Sequence, residues 1–171
     1  MDCRVVMVRG AVGVPIDTLI MLGTRSKYVH TALLFEENSQ QFIIEISAQD
    51  GLRQQSWAEY SYRGGSDLYE VVGMTPEKAS EALDWVLGPD GPFKNDAGYD
   101  YSLIIGIIAL IIDCCLPKKY QGMNPFDSSG NYICSELVQT ALEKADFDFP
   151  GPTGFSTPQS IVDSDLLRLV T

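Results

Sequence analysis

Tyr28-Val29-His30-Thr31-Ala32-Leu33-Leu34-Phe35-Glu36-Glu37-Asn38-Ser39-Gln40-Gln41-Phe42-Ile43-Ile44-Glu45-Ile46-Ser47 is the run that decides the fold. Two stretches rich in β-branched and aromatic residues flank a polar tip at Glu36-Glu37-Asn38-Ser39, the pattern of a β-hairpin. A four-residue loop over 36–39 pairs Phe35 with Gln40. Continued antiparallel, that register sets His30 opposite Glu45, close enough for their side chains to bond. A slip of one residue would send one of them to the other face. Phe42, Ile44 and Ile46 share the opposite face, which leaves Ile43 and Glu45 beside His30 and Ala32. A carboxylate inside so apolar a strand needs either solvent or a partner. The hairpin offers it the chain's single histidine.

Outward from the hairpin, Cys3–Val8 reads as a strand, and Val14–Gly23 as a short helix or an irregular covering turn. A third strand is expected near Asp67–Val72. Thr75-Pro76-Glu77 opens a helix to about Leu87: a Thr cap, Pro at the first position and an acidic first turn. Ala79, Ala82, Leu83, Val86 and Leu87 supply its apolar stripe, and Gly88-Pro89-Asp90-Gly91-Pro92 ends it. Leu103–Ile112 is the most apolar stretch, yet it is about half the roughly 20 residues that a membrane span requires. It therefore reads as a buried helix; contact with a membrane or partner through one face is the lesser reading, and a span is not expected. Gln121–Gly130 is a loop, and a helix follows from Asn131 to about Lys144. With Asn131 as N-cap, Cys134 falls at the third helical position. Ser156-Thr157-Pro158 suits a short terminal helix and Leu166–Val170 a closing strand.

A chain of 171 residues with no internal repeat or linker suits one domain spanning 1–171, long enough to bury a core. Its 12 basic and 23 acidic residues give a net charge of −11. That excess argues against nucleic acid as a partner and against electrostatic docking on an anionic membrane. One histidine and no C-x-x-C pair among four cysteines (Cys3, Cys114, Cys115, Cys134) argue against zinc, and no metal or other cofactor is expected. Met1-Asp2-Cys3-Arg4 does not begin a secretory signal, so free thiols suit a cytoplasmic, reducing compartment. Nothing in the sequence bears on oligomeric state.

Cys134 stands in Asn131-Tyr132-Ile133-Cys134-Ser135-Glu136-Leu137-Val138, about a hundred residues after His30. Taken alone, a cysteine there is more often a small buried hydrophobe, and a histidine in a half-buried strand is more often a satisfied structural group. Taken together with Glu45 they are the parts of an activated thiol. Glu45 would orient the imidazole, His30 would draw the proton from Cys134, and the thiolate would attack a carbonyl carbon. The partial positive charge at a helix N-terminus favours a thiolate. Backbone N–H groups there, that of Cys134 included, could hold the oxyanion. Tyr99, Tyr101 and Tyr132 are candidate side-chain donors to it, and the sequence does not choose among them.

These residues resemble a known family, the circularly permuted, NlpC-type, papain-fold cysteine hydrolases, and within it the YiiX-like branch. The resemblance runs from Val5-Val6-Met7-Val8-Arg9-Gly10 through the histidine strand Thr24–Ala32 and the glutamate strand Ile43–Ser47 with Gly51-Leu52-Arg53 after it. Gly98-Tyr99-Asp100-Tyr101, Tyr132–Val138, and Thr157-Pro158 with Asp163–Leu167 complete it. The order histidine, acid, cysteine is that of the permuted topology. Val29 departs from the pattern, standing where a small polar residue is expected before the histidine, and removes no catalytic group.

The resemblance implies an α+β fold: an antiparallel sheet or small barrel carrying His30 and Glu45, packed against the helix that bears Cys134. It further implies Cys134 as nucleophile, His30 as base, Glu45 as orienting acid, and cleavage of an amide or ester without a metal. Peptide amides are one substrate class. Acyl lipids are the other, since related permuted chains include acyltransferases and phospholipases. A catalytically silent interaction module and a redox-sensing thiol are the competing readings.

Overall fold

A computed structural model describes residues 1–11, 13–60, 65–95, 97–99, 132–149 and 156–170. The expected buried helix at 103–112, and with it the membrane contact considered for that stretch, lies outside the described residues, as does Tyr101.

Six strands form one antiparallel sheet: β1 (Asp2–Arg9), β2 (Tyr28–Glu37), β3 (Gln40–Ser47), β4 (Gly51–Ser56), β5 (Ser66–Val71) and β6 (Leu167–Leu169). Their order across the sheet is β4-β3-β2-β1-β5-β6, with every neighbouring pair antiparallel. The helices are α1 (Pro15–Thr24), α2 (Pro76–Leu87), α3 (Cys134–Lys144) and α4 (Pro158–Val162), with a 3₁₀ turn at Trp57–Glu59. The α+β arrangement and antiparallel sheet that the resemblance implies are therefore present.

One face of the sheet builds the larger core. Val5, Met7, Leu33, Phe35, Ile44 and Ile46 meet Leu137, Val138, Ala141 and Leu142 of α3 and Ala79, Ala82, Leu83 and Val86 of α2. The helical residues recur at spacings of three and four, the stripe an amphipathic helix needs to cover a sheet. Thr75 caps α2 as expected, its hydroxyl accepting from the Lys78 N–H at 3.3 Å. On the other face Val6, Val8, Ala32, Leu34 and Ile43 form a smaller cluster covered by Trp57, Tyr60 and Leu68.

The hairpin turns more tightly than the polar tip suggests. Glu37 pairs with Gln40, so the loop is two residues, Asn38 and Ser39, rather than four. Both have positive φ (50° and 64°), the requirement of a turn whose twist matches the strands. Ser39 bears the steric cost of a left-handed backbone with a side chain attached. Ser39→Gly is accordingly expected to stabilise the fold by about 0.5 kcal/mol after the glycine's greater unfolded-state entropy is counted, and so to raise the urea midpoint. A lowered midpoint would mean that the serine side chain secures the turn.

The register is therefore displaced by two residues. Leu33 faces Ile44, and His30 is diagonal to Glu45 rather than directly opposite. An offset of two preserves the face on which each side chain stands, so the two residues still meet. β4 is a further strand, not expected from the sequence, between the hairpin and β5.

Candidate functional site

The site assembles from three elements. β2 brings His30, β3 brings Glu45, and α3 begins at Cys134. Val8 pairs with His30 while Arg9 pairs with Tyr28, which leaves Val29 as an extra residue in β2. Such a bulge bends a strand and re-aims its neighbours. Tyr28 and His30 consequently no longer share a face, and Tyr28 joins the core beneath α3. Val29 is itself buried against Gly10, where a Cβ would come within 2.9 Å of its Cγ1 and 2.6 Å of Met21 Sδ. The departure from the family pattern at Val29 is thus a packing position beside the histidine.

His30, Glu45 and Cys134 are all buried, at 8%, 2% and 6% exposure. His30 Nε2 and Glu45 Oε2 lie 2.5 Å apart. The other carboxylate oxygen, Oε1, accepts from Arg53 Nε at 2.7 Å and faces Arg53 Nη2 at 2.5 Å. Gln55 Nε2 reaches Oε1 at 3.5 Å, and the Tyr60 hydroxyl reaches Oε2 at 3.4 Å. A carboxylate removed from water this fully requires such an array of donors.

Burial opposes charge on the His30 ring. The hydrogen bond and charge of Cys134, followed by those of Glu45, override it and raise the imidazole from 6.5 to about 10. For Glu45, burial likewise opposes the charged form, and His30 and Arg53 together hold the carboxyl below its ordinary 4.5. Histidine, carboxylate and thiol thus act on one another as a coupled set.

Cys134 is the first residue of α3, with Ile133 as N-cap, and not the third residue after an Asn131 cap. The reason is tertiary. Tyr132 is held beside Tyr99 in an isolated parallel bridge, its N–H donating to the Gly98 carbonyl at 3.2 Å. The Ile133 N–H is taken by Glu136 Oε2 at 3.1 Å, so Ile133 is not an oxyanion donor. The first N–H bonded within the helix is that of Leu137, to the Ile133 carbonyl at 3.0 Å. Geometry gives Cys134 and Ser135 N–H groups no acceptor inside the helix, as at every helix start. The Tyr132 ring stands edge-on to Trp85 with centroids 6.2 Å apart.

Sequence reasoning overlooks Arg53, Gln55 and Tyr60. Arg53 is directly opposite Glu45 in the β3–β4 register. The available signal is the short turn after Ser47, which folds a polar strand back along the glutamate strand and sets Arg53 and Gln55 on alternate positions.

No family model and no curated protein matches the sequence. A solved structure does match it, that of the metalloprotein YiiX from Escherichia coli O157:H7, DUF1105. The chain has a YiiX-like fold. The TM-score is 0.60 at 17% identity, over 100% of this chain and 96% of YiiX. At that identity the likeness is one of architecture, and it agrees with the YiiX-like resemblance carried by the histidine, glutamate and cysteine stretches. Among the described residues no group of three or more His, Cys, Asp and Glu side chains is arranged to hold a metal ion. Among the same residues no helix is long and apolar enough to cross a membrane.

Proposed function

We propose that this chain is a thiol hydrolase of the permuted papain type, cleaving an amide or ester bond through an acyl-enzyme. The observation that carries the proposal is the buried His30, bonded to Glu45 on one side and to the thiol at the start of α3 on the other. With Nε2 on Glu45, the other ring nitrogen is the one that can exchange a proton with Cys134. The Cys134 sulfur then attacks the carbonyl carbon, and the Cys134 and Ser135 N–H groups receive the oxyanion. As the carbon–nitrogen or carbon–oxygen bond breaks, the imidazolium gives its proton to the leaving group. Water, losing a proton to His30, attacks the thioester; the carbon–sulfur bond breaks, the acid leaves, and the sulfur recovers its starting form.

YiiX is called a metalloprotein. In this chain the donor set at the site does not fit a cation. Glu45 already has His30 on one oxygen and the Arg53 guanidinium on the other. A metal there would have to displace a fixed positive charge, so no step runs through one.

One observation favours acyl lipids over peptides as substrate. α1 turns Ile16, Leu19 and Leu22 outward along one face, while burying its one charged side chain, Asp17, whose carboxylate accepts from the Ala11 N–H at 2.8 Å. That inverts the usual pattern of a surface helix, just ahead of the histidine strand.

The test is the rate of Cys134 alkylation by iodoacetamide against pH, in the native protein and in His30→Ala. Rapid labelling well below the free-thiol value of about 8.5 is expected in the native protein and lost in the variant. An ordinary thiol profile in both would refute the proposed pair. Panels of peptide and acyl-lipid substrates then separate the two substrate classes.

A further inference from the structure

Among the described residues Arg53 is the one fixed positive charge in contact with Glu45, and its position is built rather than incidental. Its Nε and Nη2 both address Glu45 Oε1, while Nη1 pairs with Asp50 at 2.7 Å. The planar fork is thereby fully used, one edge on the buried carboxylate and the remaining amine on the turn before β4. Glu45 must stay an anion while its neighbour changes charge. Without Arg53, once His30 gives up its proton, a carboxylate with 2% exposure would face no cation among the described residues, only the longer bonds from Gln55 and Tyr60. It would then take up a proton from water, because an uncompensated buried charge is the most costly arrangement available. A guanidinium cannot lose its proton and so supplies the missing charge in both states.

We infer that Arg53 is a positioning residue that keeps Glu45 ionised through both protonation states of His30, one bond removed from the chemistry. The inference rests on the thiol-hydrolase reading given above. Among the described residues, the charged and titratable groups that face the pair are His30 on β2, Arg53 on β4, Asp50 in the preceding turn, Tyr60 after the 3₁₀ turn and Cys134 on α3. Removing a fixed positive charge from this set raises the pH at which Glu45 protonates, and with it the pH below which the thiol stops reacting.

The experiment compares Cys134 alkylation against pH in the native protein, His30→Ala, Arg53→Met and Arg53→Lys. The side chain of Arg53 is 37% exposed on an edge strand, so these variants are expected to fold, which circular dichroism checks. In Arg53→Met the acidic midpoint of labelling should rise by about one pH unit, the lower end of what an opposite charge at this range provides. Arg53→Lys keeps the charge and loses the fork, and should return most of that rise. A merely structural Arg53 would slow labelling at every pH without moving the midpoint, and that outcome overturns the inference, as does a midpoint equal to the native one. The failure of the hydrolase reading looks different, since native protein and His30→Ala would then label alike. With only one histidine in the chain, the ring signals of His30 in NMR give a second record. Their low-pH step, which reports Glu45, should move upward in Arg53→Met whether or not the thiol turns over a substrate, and a step that stays in place overturns the inference.

Discussion

Cys134→Ala is expected to abolish turnover, by about a million-fold in kcat, while leaving the fold almost untouched. A nucleophile removed from a set that acts as a unit costs nearly as much as removing the whole set, because the base and the acid have no other atom to activate. Packing should change little, separately from the support that Cys134 gives the His30 imidazolium. The side chain is small, lies at the end of α3, and its loss leaves a void of one sulfur atom, worth on the order of 1 kcal/mol. In a chain of 171 residues that is about 2–4 °C in Tm. Turnover is measured on whichever of the peptide and acyl-lipid panels the native protein cleaves. Undiminished turnover in the variant ends the mechanism.

No other described cysteine can substitute. Cys3 is 1% exposed, and burial, reinforced by the charge of Asp2, pushes its thiol far above the ordinary range. A thiol held neutral in the core neither attacks nor alkylates. Cys114 and Cys115 lie outside the described residues. Mass spectrometry of the iodoacetamide-treated protein therefore distinguishes Cys134 from Cys3 directly.

The parts of this arrangement that are legible in sequence are those set by local pattern. The alternation in Tyr28–Phe35 and Gln41–Ser47 marks a hairpin and its two faces, and Thr75-Pro76-Glu77 marks the start of α2. The register differs from the expected one because the tip offers four polar residues and only Asn38 has an inherent tolerance for left-handed backbone; Ser39 carries no such sign. The pairing of His30 with Glu45 survives because two residues is the period of a strand.

β4 is hard to see in sequence because Leu52 is its one strong hydrophobe, and an edge strand need not be apolar on either face. Its information is complementary rather than periodic, an arginine and a glutamine set against one glutamate. The start of α3 falls later than its sequence suggests because the bridge between Tyr99 and Tyr132 that stops the helix short joins residues far apart in the chain. No local propensity records such a contact. The oxyanion donor is open in sequence for a related reason, since the Glu136 bond that removes Ile133 from candidacy becomes visible only once the cap is located.

The second large effect concerns stability against pH. A group whose pKa is raised by folding stabilises the native state fully below its unfolded value, and that contribution is lost as pH climbs through the folded value. For His30 the window runs from 6.5 to about 10. A group whose pKa is lowered by folding stabilises above its unfolded value and loses the contribution as pH falls. For Glu45 the loss begins near 4.5 and continues below it. The pair therefore contributes most between the two unfolded values, with one limb on each side. Every tenfold gain in proton affinity on folding corresponds to about 1.4 kcal/mol, so the alkaline limb is expected to amount to a few kcal/mol.

Urea unfolding from pH 3 to pH 10, roughly the span of both limbs, measures it. The other carboxylates of this acidic chain also act on the acid side, which is why the informative quantity is the difference between native protein and variant. His30→Ala should lose the decline between pH 6.5 and 10. Cys134→Ala should lose much of it as well, because the Cys134 bond and charge are the largest of the influences that raise His30. Glu45→Gln should flatten the acid limb and weaken the alkaline one, since Glu45 is the smaller of the two supports of the imidazolium. If His30→Ala instead parallels the native protein across the alkaline range, the imidazole is not held protonated by its neighbours. The close approach of His30 to Glu45 would then be a neutral ring donating to a carboxylate, and the proton needed at the leaving group would have to come from elsewhere.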